Sequence, residues 1–165
     1  MKKILFVGFV FACTMLFISC GEDDTIILPE EEFFVAFEEE RASIDISSDS
    51  ALAIPVYVAA EKGAEVNVQI GVRNSPDLLE QDRYDGYGFA QENTDYEFDG
   101  DLTLSYPEGT GYDTLRIYPK QGGTPGDLII ELVLESNSAG YRSGLPAGED
   151  GEDSRYDSFV VEFIR

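Results

Sequence analysis

Between Leu52 and Leu134 the apolar residues of this chain fall on every second position. Leu52, Ile54, Val56 and Val58 form one such set, and Val66, Val68, Ile70 and Val72 the next. Leu102, Leu104 and Tyr106 follow, then Leu115 with Ile117, then Leu128, Ile130, Leu132 and Leu134. A period of two puts one set of side chains on one face of an extended strand, so each run predicts a strand with one buried face. Upstream, Phe33-Phe34-Val35-Ala36-Phe37 reads as a first strand. Glu38-Glu39-Glu40-Arg41 breaks it and Ala42-Ser43-Ile44-Asp45-Ile46 resumes it. Downstream, Phe159, Val161 and Phe163 predict a closing strand.

Turn residues separate these runs. Pro107-Glu108-Gly109 and Gly122-Gly123-Thr124-Pro125-Gly126 combine glycine, which tolerates positive φ, with proline, which presets φ near −65°. Glu61-Lys62-Gly63-Ala64 is expected to be a hairpin turn. Pro55 cannot donate to a strand ladder, which points to an edge strand or a bulge. The expected fold is an all-β, immunoglobulin-like antiparallel sandwich of seven to nine strands.

Two segments break the pattern. Residues 74–92 are too long for an ordinary connection in a compact domain, and such loops are often functional. Leu78-Leu79 could form a short helical turn there. Tyr84, Tyr87 and Phe89 stand beside Asp82, Arg83 and Asp85. Aromatic rings next to acids and an arginine can stack on sugar rings and hydrogen-bond their hydroxyls. Tyr84, Tyr87, Phe89 and Asp85 are therefore the candidate ligand-binding residues. The alternative is a loop whose aromatics cap the end of the sandwich, and the lack of tryptophan weighs towards it. The second segment, residues 137–154, is rich in glycine and acid.

The stretch from Asp95-Tyr96-Glu97-Phe98 through LTLSYPEG and DTLRIYP to GDLIIELVLESN resembles a Calx-β domain. The resemblance is strongest over residues 93–137 and extends from Phe34 onward. It implies a sandwich whose split first strand switches sheets, and it raises calcium as a ligand. Calcium-binding members of that family draw acids from the DY aspartate, from an Asp-Asp run after the following strands and from acids closing the last strand. Asp95 matches the first place. Pro119-Lys120-Gln121 occupies the second, and the third falls at Ile164-Arg165, where the sequence stops. One matching ligand does not make a site for a cation that wants several oxygens. Asp95 is thus only a weak metal candidate, expected instead to cap a turn with Tyr96 packed inward. Glu149, Asp150, Glu152 and Asp153 remain open as another acidic group, without the spacing of a calcium loop.

The N-terminus reads separately. Lys2-Lys3 precede an apolar run from Ile4 to Ile18, too short for a comfortable membrane span and suited to a signal peptide. Leu16-Phe17-Ile18-Ser19-Cys20 resembles a bacterial lipobox, which implies lipidation of Cys20 and cleavage before it. An ordinary cleaved signal or one transmembrane helix are the alternatives. The expected layout is a signal peptide at 1–19, an acidic tether at 20–32 and the sandwich at 33–165. Gly21-Glu22-Asp23-Asp24 resembles a surface-export signal of Bacteroidota-type lipoproteins, or is a solvated spacer. The expected location is the cell envelope, on the outer membrane and exposed at the surface.

Charge and composition narrow the chemistry. The net charge is −22, and loss of Lys2 and Lys3 leaves nine basic residues against 33 acids, or −24. Nucleic acid is excluded as a partner, because phosphate binding needs clustered Lys and Arg. There is no histidine, and the only cysteines are Cys13 and Cys20. Ser-His-Asp and Cys-His nucleophiles are thereby impossible. No cofactor is implied, and no enzyme is expected. The expected function is a lipid-anchored binding or adhesion module, accessory to polysaccharide uptake, that presents its loops to a glycan or protein partner. A calcium-responsive domain and a structural subunit of an outer-membrane assembly are the alternatives.

Overall fold

A computed structural model describes residues 32–147 and 153–165 of the chain. Cys20, the tether up to residue 31, and Glu149, Asp150 and Glu152 lie outside the described residues.

Two sheets pack face to face. In chain order the strands are β1 (Phe34–Phe37), β2 (Arg41–Asp45), β3 (Leu52–Ala59), β4 (Val66–Arg73), β5 (Gly88–Phe89), β6 (Tyr96–Phe98), β7 (Thr103–Tyr106), β8 (Gly111–Pro119), β9 (Leu128–Asn137), β10 (Arg142–Ser143), β11 (Leu145–Ala147), β12 (Asp153–Arg155) and β13 (Ser158–Ile164). One turn of helix, α1 (Pro76–Leu79), lies between β4 and β5. The front sheet runs β10-β1-β3-β8-β6 and the back sheet β2-β13-β9-β4-β7, with β5 added beside β9. β11 and β12 form a separate ribbon. The expected split first strand is present: β1 pairs with β3 in front, and β2 pairs with β13 behind.

The alternating apolar positions meet between the sheets. Ile54, Val56 and Val58 of β3 face Ile130, Leu132 and Phe159 across a closed core. The Phe37 and Phe159 rings lie 5.6 Å apart, and Tyr96 stacks on Phe163 at 5.5 Å. Each such large apolar side chain contributes roughly 1.5–3 kcal/mol on burial. Tyr106 on β7 also donates a 2.9 Å hydrogen bond to the Val56 carbonyl, tying the back sheet to the front.

Two local expectations change. The turn at Glu61-Lys62-Gly63-Ala64 is not a hairpin turn: β3 lies in the front sheet and β4 in the back. It crosses between sheets, as does the turn from β7 to β8. The two crossings dock on each other, with the Gly63 amide donating to the Glu108 carbonyl at 3.0 Å. Gly109, at φ 82°, sits so close to the Glu61 carbonyl that a Cβ there would collide with it.

Pro55 is the second case. β3 is not an edge strand, because it lies between β1 and β8. The proline is tolerated because β1 ends at Phe37, where the chain leaves for the other sheet. The Pro55 carbonyl still accepts from the Glu38 amide at 3.3 Å, and the missing donor falls at the end of that pairing.

Candidate functional site

The excursion between β4 and β5 is held by carboxylates of the sheet it covers. It leaves the back sheet at Arg73 and returns at Gly88, where β5 takes the place beside β9 that β4 vacated. On the way it passes over the outer face of β13. Glu162 stands there, 5% exposed. Its Oε1 accepts from Arg83 Nε at 3.0 Å and Nη2 at 2.8 Å, and from the Tyr84 hydroxyl at 3.4 Å. Its Oε2 accepts from the Ser43 hydroxyl at 2.8 Å. A buried carboxylate needs such partners, since an unpaired one would be costly. Farther along, the Ser75 hydroxyl donates to Glu131 Oε2.

The candidate ligand residues fall into different places. Tyr84 is buried, 3% exposed, so its ring has no open face for a sugar. It serves instead to anchor the loop, with burial, and then the nearby Glu162 carboxylate, pushing its pKa up. Tyr87 is half-buried and packs edge-on against Tyr84 at 5.5 Å. Phe89 is half-buried in β5, and Asp85 is exposed. The four therefore do not converge on one open surface.

A groove does open beside the anchor. It has a volume of about 240 Å³, lies between the excursion and the turn into β13, and is lined by Arg41, Gln81, Tyr84, Tyr156 and Asp157 among others. Tyr156 has φ 64°, a left-handed conformation that is rare outside glycine. Such a backbone costs on the order of 1–3 kcal/mol and persists only where its surroundings impose it. Here the Tyr156 carbonyl accepts from the Phe37 amide at 2.8 Å and the Asp157 carbonyl from the Leu134 amide at 3.0 Å, which fixes the turn. Arg41 is exposed at the start of β2. Arg41, Gln81 and Asp157 thus line one polar concavity beside Tyr156, which packs in part against the core. Sequence reasoning found Tyr84 but missed Arg41, Tyr156, Asp157 and Glu162. Glu162 was readable as an outward position between Val161 and Phe163; nothing local pointed to the others.

At another end of the sandwich, Asp95 is fully buried. Its Oδ1 accepts from the Thr124 amide at 2.5 Å, and its Oδ2 from the Gln91 amide at 2.8 Å and the Thr124 hydroxyl at 3.0 Å. The carboxylate thereby joins the turn before β6 to the turn before β9. Gly123 leaves room for it, because a Cβ there would meet Asp95 Oδ1. Two cations tie the same end. Lys120 pairs with Glu97 at 2.7 Å, and Arg165 donates from its Nε to the Gly126 carbonyl at 2.9 Å and from its Nη2 to the Thr124 carbonyl. Among the described residues no group of three or more acidic or thiol side chains is placed to hold a metal ion.

No family model matches the sequence, and no curated protein matches it. Solved structures do. The apo-form Calx CBD1 domain superposes with a TM-score of 0.53 over 80% of this chain and 96% of its own, at 16% identity. The fold is Calx-β-like. A candidate carbohydrate-binding protein from Bacteroides ovatus gives 0.53 at 12% identity, over 79% of this chain and 36% of its own. A protein of unknown function from the same organism gives 0.52 at 14% identity, over 80% and 44%. The Calx-β-like domain thus spans less than half the length of these two Bacteroides proteins. In it, Asp95 fills the DY position with its oxygens already engaged by backbone and hydroxyl donors.

Proposed function

We propose that this chain is a non-catalytic binding module that holds a hydroxyl-rich ligand, a glycan, in the groove between the 74–92 excursion and the turn into β13. The observation that carries the reading is Tyr156, held at φ 64° on the wall of a groove that also presents Arg41, Gln81 and Asp157. A sugar hydroxyl both donates and accepts, so a guanidinium and a carboxylate lining one groove can both bind it. The likeness in fold to the candidate carbohydrate-binding protein of Bacteroides ovatus supports the same class. The sequence around Cys20 supports attachment to the outer membrane by a lipid, with the sandwich displayed at the cell surface.

The test is calorimetric titration of the full chain, purified in detergent, with a panel of neutral oligosaccharides. Arg41→Ala alters an exposed side chain and should weaken the binding of any ligand found by about tenfold. A glycan that binds equally to Arg41→Ala and to Tyr156→Gly would sink the groove as its site.

A further inference from the structure

The two outer faces of the sandwich differ in charge. The back sheet turns Asp45 outward to solvent, and Glu131 and Glu162 outward beneath the 74–92 excursion that bonds to them. The front sheet turns an acid outward only at its β6 edge, where Glu97 stands opposite Tyr118 and is paired with Lys120. On β3 the outward positions are Ala53, Pro55 and Tyr57, and on β8 they are Tyr112, Thr114, Arg116 and Tyr118. β1 adds Phe34 and Ala36. Across these three strands the outward positions hold no carboxylate and a single charge, Arg116.

Aromatic rings cross this face in a row. Tyr57 and Tyr112 are paired directly across β3 and β8, with ring centroids 4.7 Å apart. Phe34 continues the row at 5.9 Å from Tyr57. Tyr112 is 62% exposed, and Tyr118, six residues along the same strand, is 37% exposed. A cross-strand aromatic pair stabilises a sheet by roughly 0.2–1 kcal/mol whatever binds it. That gain does not require three rings in a row, nor does it explain the missing acids.

We infer that this face is a binding platform for a neutral polysaccharide chain, laid across β1, β3 and β8 with its sugar rings on Phe34, Tyr57 and Tyr112. The charge pattern selects that occupant. A basic protein would be drawn to the acidic surface elsewhere and gains little from three strands without an outward acid. A second copy of this chain would bring another net charge of −22 towards the first. Anionic lipid and nucleic acid are repelled by the same field. A neutral glycan meets no such penalty. The C–H face of a pyranose ring stacks on an aromatic ring, and tyrosine hydroxyls and Arg116 can reach its hydroxyls. The platform is on the front sheet and the groove borders the back sheet, so this inference stands without the groove.

The experiment is co-sedimentation of the full chain, in detergent, with insoluble neutral polysaccharides: cellulose, chitin and a β-1,3-glucan. Retention on at least one is expected. Tyr112→Ala should lower it about tenfold, whereas Tyr112→Phe, which keeps the ring, should hold it within about twofold. Lys62→Ala, an exposed change in the turn between β3 and β4, should leave it unchanged. Far-UV circular dichroism and the melting temperature of Tyr112→Ala should match the parent, because that ring is mostly exposed. Retention of Tyr112→Ala at the parent level, or of no parent protein on any of the three, overturns the inference. So does concentration-dependent self-association that Tyr112→Ala abolishes, which would assign the face to a second copy.

Discussion

Arg83 and Glu162 are 79 residues apart in sequence, yet two guanidinium nitrogens of the first converge on one carboxylate oxygen of the second at 3.0 and 2.8 Å. The contact fastens an irregular excursion to the outer face of a regular sheet. Glu162 is almost wholly covered while Arg83 remains about half exposed. The excursion therefore carries the cation that a buried carboxylate needs, and the sheet carries the fixed partner.

Arg83→Ala is expected to loosen the excursion without unfolding the sandwich. Arg83 is exposed and lies over the Tyr84 ring at 5.7 Å, and without it Glu162 keeps Ser43 and Tyr84 as donors. Limited proteolysis should cut within residues 74–87 sooner than in the parent, with the melting temperature little changed. Hydrogen exchange localised to the same residues would confirm the site of loosening. Equal protection in parent and variant would show that Tyr84 and Ser75 hold the segment without Arg83.

Asp95→Ala should be costly. It strands the amides of Gln91 and Thr124, both now satisfied by the carboxylate. The expected loss is about 2–4 kcal/mol, since each buried donor left without an acceptor costs roughly 1–3 kcal/mol. Denaturant titration measures it through a lower midpoint at unchanged slope.

The same geometry bears on calcium. With three donors on Asp95 and a lysine and an arginine tying the neighbouring turns, millimolar Ca²⁺ and Mg²⁺ should shift the melting temperature equally and slightly relative to EDTA. A site filled at 100 times its Kd would add about 2.7 kcal/mol. A Ca²⁺-selective shift of that size would show that Asp95 exchanges its donors for a cation.

Alkaline pH should unfold the domain through its buried tyrosines. Burial, and then the nearby Glu92 and Asp95, push the Tyr96 hydroxyl up to about 12, and burial raises Tyr106 as well. A raised folded-state pKa means that the folded chain keeps a proton that the unfolded chain releases from about pH 10. Stability is then fully present below about pH 10 and falls as pH rises towards 12, by about 2–3 kcal/mol for Tyr96. Urea midpoints measured from pH 8 to 12 should show the fall, and Tyr96→Phe should flatten it.

Phe159→Ala removes one ring of the pair that joins the two sheets, 5.6 Å from Phe37. The site is closed on all sides, with Phe159 1% exposed, so the cavity cannot collapse easily. A loss of about 3–5 kcal/mol is expected by chemical denaturation.

The sequence by itself determined the strands and their inward faces. Val56, Val68, Leu132 and Phe163 could be placed inside because alternation is a local property, set by the pleat of each strand. The departures that identified residues 74–92 as an excursion, and Asp95 as a turn residue beside an inward Tyr96, were equally local. Which sheet each strand joins was a different matter. Glu61-Lys62-Gly63-Ala64 looks the same whether it closes a hairpin or crosses between sheets, and only the pairing of β3 with β1 and β8 decides it. Pro55 was misleading for the same reason, since its tolerance depends on where β1 leaves. Tertiary structure alone placed Tyr84 inside, brought Arg83 to Glu162, brought Arg41 and Tyr156 to one groove, and aligned Phe34, Tyr57 and Tyr112 in one row. Each of these joins residues distant in sequence, and the period of a strand fixes the side a residue faces but not the neighbour it meets there.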